Sequence, residues 1–523
     1  MQTPLTPLDF LRRARALYPR REAVIDGASR LSYAEFGERC DRWSAALARL
    51  GVTRHDRVAT IAPNTHRHLE QFHAVPQLGA VIVPMNYRLK ADDFVYMATH
   101  SGAKVLCVHK DYLELIDSVR DSLPTVEHFV ALEGERPGWL GYESLLEAGG
   151  PYAPCADIDE NDLIAINYTS GTTSRPKGVM ITHRNAWANS VGTLVHWSLT
   201  PDDRYLWTLP MFHANGWTFV WTATAAGAAH VCLRKVEPMT IYEQVNRERI
   251  THLCAAPTVL IGIASGPEAA RRELRRGVRV LTAGAPPASA TIERLETELG
   301  WDVTHVYGLT ETAPFILICE SLPEHRRLSD SGRAAIKARQ GVPLICSGEV
   351  RVVDTEQNDV PPDGSTLGEI VARGNVVMKG YYNDPVATAT AFAGGWFHTG
   401  DAAVVHPDGY VEIRDRFKDV IISGGENISS IEVEGALLRH PAVLEVAVVG
   451  VADEKWGESP HAFVVLNPGM SVTAVELSAF ARSTLAHFKV PSAFHLVSEL
   501  PKTATGKIQK FVLRGHRAAI ARQ

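Results

Sequence analysis

The sequence predicts an α/β protein: a large N-terminal domain of parallel-sheet α/β subdomains, a small β unit, and a small mixed α+β C-terminal region. Three observations carry this. Strand-like apolar runs alternate with helical patterns from residue 31 to 310, and that alternation implies crossovers and parallel sheets. Near residue 345 the texture changes to short strands separated by turns. Beyond Arg416 lies a further mixed stretch of roughly a hundred residues, enough for an independent domain.

Taken in order, Tyr33 to Leu50 has helical spacing, with Phe36, Cys40, Trp43 and Leu47 on one face. Arg57–Ile61, Ala80–Pro84 and Val105–Val108 read as buried strands. Further strands are expected near 162–168, 252–256, 278–283 and 303–306. A helix is expected after the first of these, because Trp187, Val191, Leu194 and Val195 recur at helical spacing. Glu349–Val353, Gly368–Ala372, Ala402–Val405 and Tyr410–Arg414 make the β unit, and Pro407-Asp-Gly409 supplies a turn between the last two. In the final stretch Ile431, Gly435 and Leu438 mark a helix, and Leu444–Val449 and Ala462–Leu466 mark strands. Leu477, Phe480, Ala481 and Phe488 mark another helix. The boundary falls at Asp415-Arg-Phe-Lys418.

Composition narrows the function. The 523 residues are 45% hydrophobic and 21% charged, with a formal net charge of −6, which is ordinary for a globular chain. No long basic run is present, so nucleic acid is not an expected partner. The seven cysteines are scattered, odd in number and free of C-x-x-C pairs. That argues against a disulfide scaffold or zinc site and for a reducing compartment, the cytoplasm. No apolar run reaches membrane-spanning length, the start lacks a signal-peptide pattern, and Ala-Arg-Gln at the end is not a peroxisomal address.

The most polar segment follows an apolar run, Leu163 to Ile166. It reads Tyr168-Thr-Ser-Gly-Thr-Thr-Ser-Arg-Pro-Lys-Gly178. Placed between a buried strand and a helix, it would lie where open α/β sheets bind ligands. Gly171 and Gly178 would let backbone N–H groups turn inward. Thr169, Ser170, Thr172 and Thr173 add hydroxyls, and Lys177 adds a charge. Such a set suits a polyphosphate, although the spacing is neither Walker A nor G-x-G-x-x-G. The competing reading is a polar surface loop.

This loop resembles the phosphate loop of the adenylate-forming superfamily, which includes acyl-CoA synthetases, adenylation domains of nonribosomal synthetases and beetle luciferases. Six more stretches resemble the family's signatures in the family's order: Leu209-Pro-Met-Phe-His-Ala-Asn-Gly-Trp217, Thr282-Ala-Gly-Ala-Pro286, Tyr307-Gly-Leu-Thr-Glu-Thr312, Trp396-Phe-His-Thr-Gly-Asp401, Asp415-Arg-Phe-Lys-Asp419 and Pro501-Lys-Thr-Ala-Thr-Gly-Lys507. The resemblance spans nearly the whole chain. One departure is Ser174, where the family most often has glycine; a Cβ is tolerable there unless the backbone needs positive φ.

The resemblance implies a two-step reaction. A carboxylate attacks the α-phosphate of ATP, giving an acyl-adenylate and pyrophosphate, and the thiol of coenzyme A then takes the acyl group and releases AMP. It implies an ATP site made of Thr169, Ser170, Gly171, Thr172, Thr173, Lys177, Gly284, Ala285, Pro286, Tyr307, Gly308, Thr310, Asp401, Arg416 and Lys507. Within it, Lys507 bridges the carboxylate and the α-phosphate, and Thr310 hydrogen-bonds that phosphate. Thr169 and Glu311 hold Mg²⁺, a hard cation suited to oxygen ligands. Tyr307 stacks on adenine, against a wall of Gly284, Ala285 and Pro286. Asp401 accepts the two ribose hydroxyls and Arg416 also reaches the ribose. His213, expected at a strand end, and Trp217 flank the acyl pocket, and His213 closes the adenylate site until substrate binds; Trp217 and Trp221, four apart, are expected on one helix face. Lys418 is the hinge between domains 1–415 and 416–523. The small C-terminal domain is thereby mobile, exchanging Lys507 for the Ser423–Ile428 loop, where Gly425 lines the pantetheine tunnel. The bland alternatives are a solvated lysine at 507, a solvated acid at 311, core side chains at Tyr307, His213, Trp217 and Trp221, a surface charge at Arg416 and a turn glycine at 425.

An acid–CoA ligase of the branch that activates short- to medium-chain acids is the leading expectation. An adenylating enzyme with a carrier-protein thiol or nitrogen acceptor is the second. A nucleotide-binding regulatory protein is the third, disfavoured by the joint presence of Lys507, Glu311, Thr310 and Asp401. A small carboxylic acid is the expected partner, and a homodimer is one expected assembly.

Overall fold

The computed structural model describes residues 2–150, 152, 154–155, 157–169, 175–285, 287–417, 419–424, 426–453, 455–502 and 508–514. Two large sheets form the N-terminal domain. One has eight strands, running across it as Gly380–Tyr381, Lys177–Thr182, Leu163–Thr169, Val81–Met85, Arg57–Ile61, Ala103–Val108, His128–Ala131 and Leu140–Gly141. The other has nine: Val342–Pro343, Phe315–Ile318, Asp302–Gly308, Arg279–Thr282, His252–Ala255, Arg204–Leu206, Ala229–Val231, Glu22–Asp26 and Ser29–Ser32. The central pairings of both are parallel. Such strands are covered on both faces and read as near-continuous apolar runs, and Val81–Met85 is buried at every position.

Helices fill the space between the sheets. Tyr33–Arg49 opens with a capping box between Ser32 and Glu35. Thr65 caps His66–Gln77, and Thr182 with Asn185 caps His183–His196. Helix Phe219–Ala226 packs on His66–Gln77 through the Trp221 indole, which donates to the Phe72 carbonyl at 3.1 Å. One apolar cluster therefore runs from Ile82 and Ala165 of the first sheet, through Phe36, Phe72 and Trp221, to Val24 and Tyr205 of the second.

At one side the two sheets are also tied by charge. Asp26 ends a strand of the nine-stranded sheet and accepts from His66 Nδ1 at 2.8 Å. Arg234 reaches both Asp26 and, at 2.6 Å, Glu133, which follows the strand His128–Ala131. Burial alone would raise both carboxyls. The His66 hydrogen bond and Arg234 outweigh it at Asp26, and Arg234 with His109 and Lys110 does so at Glu133, holding each at about 2.

The expected β unit is an antiparallel sheet ordered Glu349–Val353, Gly368–Arg373, Phe397–Val405 and Val411–Arg416. Its inner face packs Val352, Ile370, Ala403 and Ile413 against Tyr307, Ile316 and Leu317. A separate small domain follows. Hairpin Val443–Asp453 with Gly457–Leu466, strand Ala493–Leu496, and helices Ser430–Leu437 and Ala474–Thr484 enclose a core built from Ile421, Ile428, Val433, Leu437, Val446, Val464 and Leu477. Asp415 ties the sheet to this domain by accepting from the Ser430 amide at 2.8 Å and hydroxyl at 2.6 Å.

Two expectations need correction. The polar loop does not lead from a strand straight into a helix. It joins Leu163–Thr169 to an antiparallel partner, Lys177–Thr182, and only then does the helix begin. Gly178 accordingly sits within a strand rather than a turn. A Cβ there would come within 2.9 Å of the Ile166 side chain, so close packing explains the glycine. Trp217 and Trp221 do not share a helix face either, because the helix holding Trp221 starts only at Phe219. No described helix is long and apolar enough to cross a membrane.

Candidate active site

The hairpin brings the first group of predicted residues together. Thr169 pairs with Lys177 across the ladder where the loop leaves the sheet. The Lys177 ammonium lies 4.8 Å from the centroid of the Tyr381 ring. The Tyr381 hydroxyl in turn donates to Glu311 Oε1 at 2.9 Å. Glu311 belongs to a short 3₁₀ turn, Thr310–Thr312, packed on the strand Lys177–Thr182. Its backbone carbonyl accepts from the Met378 amide at 2.8 Å. Thr169, Lys177, Thr310 and Glu311 therefore share one mouth, buttressed by Tyr381.

Burial raises the Glu311 carboxyl, although the Tyr381 hydroxyl and Arg416 act to lower it. An acid held ionised against that cost gains when a cation arrives, so Glu311 with the Thr169 hydroxyl fits a hard divalent ion. Among the described residues no cluster of three or more His, Cys, Asp or Glu offers an alternative site.

The second group sits on strand ends of the neighbouring sheets. Tyr307, at the end of Asp302–Gly308, donates its hydroxyl to Asp401 Oδ2 at 2.6 Å. Arg416 Nε lies 3.0 Å from Asp401 Oδ1. Burial raises the Tyr307 phenol, and Asp401 raises it further, so it stays a donor. Burial lowers the Arg416 guanidinium's hold on its proton, but Asp401, Tyr307, Asp419 and Glu311 outweigh it. Each Asp401 oxygen keeps a second lone-pair site, so the carboxylate can still accept two hydroxyl donors. Gly308 stands where a Cβ would meet the Pro314 carbonyl oxygen at 1.7 Å. Gly284 has φ +89° and opens to solvent beside the exposed Ala285.

The third group is a turn. Ala214, Asn215, Gly216, Trp217 and Thr218 all have positive φ, between 40° and 65°. For L-residues each step of left-handed helix costs roughly 1–2 kcal/mol, so the surroundings must hold the turn. They do so with two buried asparagines. Asn64 donates to the Trp207 and Leu209 carbonyls at 2.9 and 3.0 Å and accepts from the Met211 amide at 2.9 Å. Asn167 donates to the Phe212 carbonyl at 3.2 Å and to Asn215 Oδ1 at 3.1 Å. Gly216 lies against Trp207, where a Cβ would come within 2.4 Å. His213 is half-buried at the start of this turn rather than at a strand end. Trp217 is buried edge-on against Phe315 at 5.7 Å.

Lys507, Lys418, Gly425, Pro286, Ser174 and the loop residues Ser170, Gly171, Thr172 and Thr173 lie outside the described residues. Sequence reasoning missed Tyr381, Asn167 and Asn64. A tyrosine in Gly-Tyr-Tyr-Asn and lone asparagines carry no local mark of their partners, which are distant in the chain.

A mouth at strand ends, combining a lysine, a buried acid with an adjoining hydroxyl, and an arginine-paired aspartate, defines an α/β protein built for a phosphorylated ligand bearing hydroxyls. The description "AMP-binding enzyme" matches residues 11–382, and "AMP-binding enzyme C-terminal domain" matches 432–507. The chain belongs to the AMP-binding enzyme family. It is similar to the peroxisomal trans-cinnamate:CoA ligase of Petunia hybrida, at 40% identity over 98% of this chain and 94% of that one. It is similar to 4-hydroxybutyrate–CoA ligase 2 of Metallosphaera sedula at 42% identity, covering 99% and 95%. An acetate–CoA ligase of Humulus lupulus is 43% identical, covering 98% and 94%. Among solved structures, an anthranilate CoA ligase in complex with anthranoyl-AMP superposes with a TM-score of 0.88 at 25% identity, covering 99% of this chain and all of that one. A benzoate CoA ligase from Burkholderia xenovorans LB400 gives 0.85 at 26%, covering 97% and 99%.

Proposed function

We infer that the chain is an AMP-forming acid–CoA ligase acting on a compact carboxylic acid of small to medium size. The observation that carries the reading is Asp401, bonded by Tyr307 and Arg416, with Glu311 in the turn that follows the strand of Tyr307. Ribose and phosphate recognition then share one mouth. The relatives' names run from acetate to cinnamate, which supports a compact acid.

In this reading Asp401 and Arg416 hold the ribose and Tyr307 packs along adenine. Lys177 and the loop hydroxyls receive the polyphosphate. Thr169 and Glu311 hold the magnesium ion, which when bound neutralises phosphate charge. Thr310 donates to the α-phosphate as the acid attacks, and Lys507 draws the two anions together. Fixed donors aimed at developing charge are worth most in such a dry site. His213 and the turn behind it border the acid. The domain after Asp415 then rotates about Lys418, withdraws Lys507 and brings Gly425 beside the pantetheine arm, as a hinge motion. A reducing compartment, the cytoplasm, is part of the proposal. A pyrophosphate-release screen over linear, branched and aromatic acids, with AMP and acyl-CoA measured alongside, tests it. ADP and phosphate in place of AMP, or a clear preference for long-chain fatty acids over every compact acid, would overturn it.

A further inference from the structure

Asn167 lies two residues before Thr169 on the strand that feeds the phosphate loop. It is buried, and its amide group spends both of its donors on the turn that carries His213. Contact with a carbonyl oxygen fixes which end of the amide is nitrogen, so the carbonyl end must face the other way. That oxygen is buried with no hydrogen-bond partner, and Asn167 lines a narrow crevice, too tight for a water molecule, together with Asn215, Thr218 and Thr310. The side chain thus joins the nucleotide hairpin to the run of five consecutive left-handed residues.

We propose that Asn167 is a positioning residue for the acid, holding the left-handed turn behind His213 in register with the nucleotide hairpin. This rests on the reading of His213 as bordering the acid. Without the two hydrogen bonds, Ala214 and Asn215 would relax toward right-handed conformations and carry His213 out of place. The nucleotide contacts at Asp401, Tyr307 and Arg416 come from other strands and would stay where they are.

The test uses Asn167→Leu, which keeps the branched shape and removes both donors, and Asn167→Asp, which keeps a polar group but offers at most one donor, and only when protonated. Pyrophosphate release is followed with the acid that the screen finds fastest. Either variant should raise KM for the acid about tenfold or more while KM for ATP stays within about threefold, as expected when at least one hydrogen bond holding the turn is lost. Adding Ala214→Gly, which makes positive φ free, should recover a substantial part of the acid KM. A packing role for Asn167 would not respond to a glycine in the turn. Equal rises in both KM values, no recovery by Ala214→Gly, or failure of both variants to fold would each overturn the proposal. Failure of the unmodified protein to release pyrophosphate with any acid would instead overturn the functional reading beneath it.

Discussion

Glu311 shows how one residue carries opposing demands. Its carboxyl is raised by burial, so its ionised form costs stability above the ordinary carboxylate range. The sign follows directly: a raised carboxyl in the fold stabilises when protonated and loses that contribution as pH climbs. Glu311→Gln removes the charge and keeps an oxygen for the Tyr381 hydroxyl. At pH 8 the variant should melt no lower than the parent, while magnesium-dependent pyrophosphate release falls by about 10² or more. A variant that melts lower and keeps its activity would show that the acid is structural. Lys507 sets a sharper test. Lys507→Ala should lose about 10²–10³ in acid-dependent pyrophosphate release yet still convert supplied acyl-adenylate and coenzyme A. Gly425→Leu should do the reverse. Equal loss of both half-reactions in both folded variants would refute the domain rotation.

Elements constrain these residues through close backbone approach. At the end of Asp302–Gly308 the chain passes so near the Pro314 carbonyl that no side chain fits at Gly308. Gly308→Ala should therefore shift Tyr307 and the 3₁₀ turn together, at a cost of about 3 kcal/mol or more, read as a lower urea midpoint. An unchanged midpoint would mean that the strand end yields freely. The same logic explains why the motif was visible while its reason was not. Tyr307-Gly-Leu-Thr-Glu-Thr312 is recognisable as a string, but the Pro314 carbonyl that forbids a Cβ is brought back against Gly308 only by the tight turn that leads into the antiparallel strand Phe315–Ile318.

For the whole molecule, the joint between the two large sheets is sensitive to acid. Asp26 and Glu133, each held at about 2, contribute stability that is complete above their unfolded values near 4 and lost as pH falls toward 2. Asp26 contributes about 2 kcal/mol, since a tenfold difference in acid strength between folded and unfolded chains corresponds to about 1.4 kcal/mol. The contribution of Glu133 is reduced, because its partners Arg234 and Lys110 are exposed and screened by water. Denaturant midpoints measured from pH 5 to pH 2 should drop through that window, and Asp26→Asn should flatten part of the drop. If the variant follows the parent's curve, the acid-labile joint lies elsewhere.

Sequence alone determined the α/β architecture, because apolar runs such as Arg57–Ile61 coincide with strands buried on both faces, and burial leaves its mark residue by residue. It also singled out Glu311, Thr310, Asp401, Tyr307 and Arg416 as candidates, since short motifs keep their order along the chain, and the fold links Tyr307, Asp401 and Arg416 directly. Tertiary structure alone decided that the polar loop tips a hairpin, that Tyr381 supports Glu311 from 70 residues away, and that Asn167 holds Asn215 from 48. It also decided that five residues after His213 turn left-handed. Local pattern records whether a side chain is buried, whereas a hydrogen-bond partner brought in by a crossover leaves no trace in its neighbours' identities.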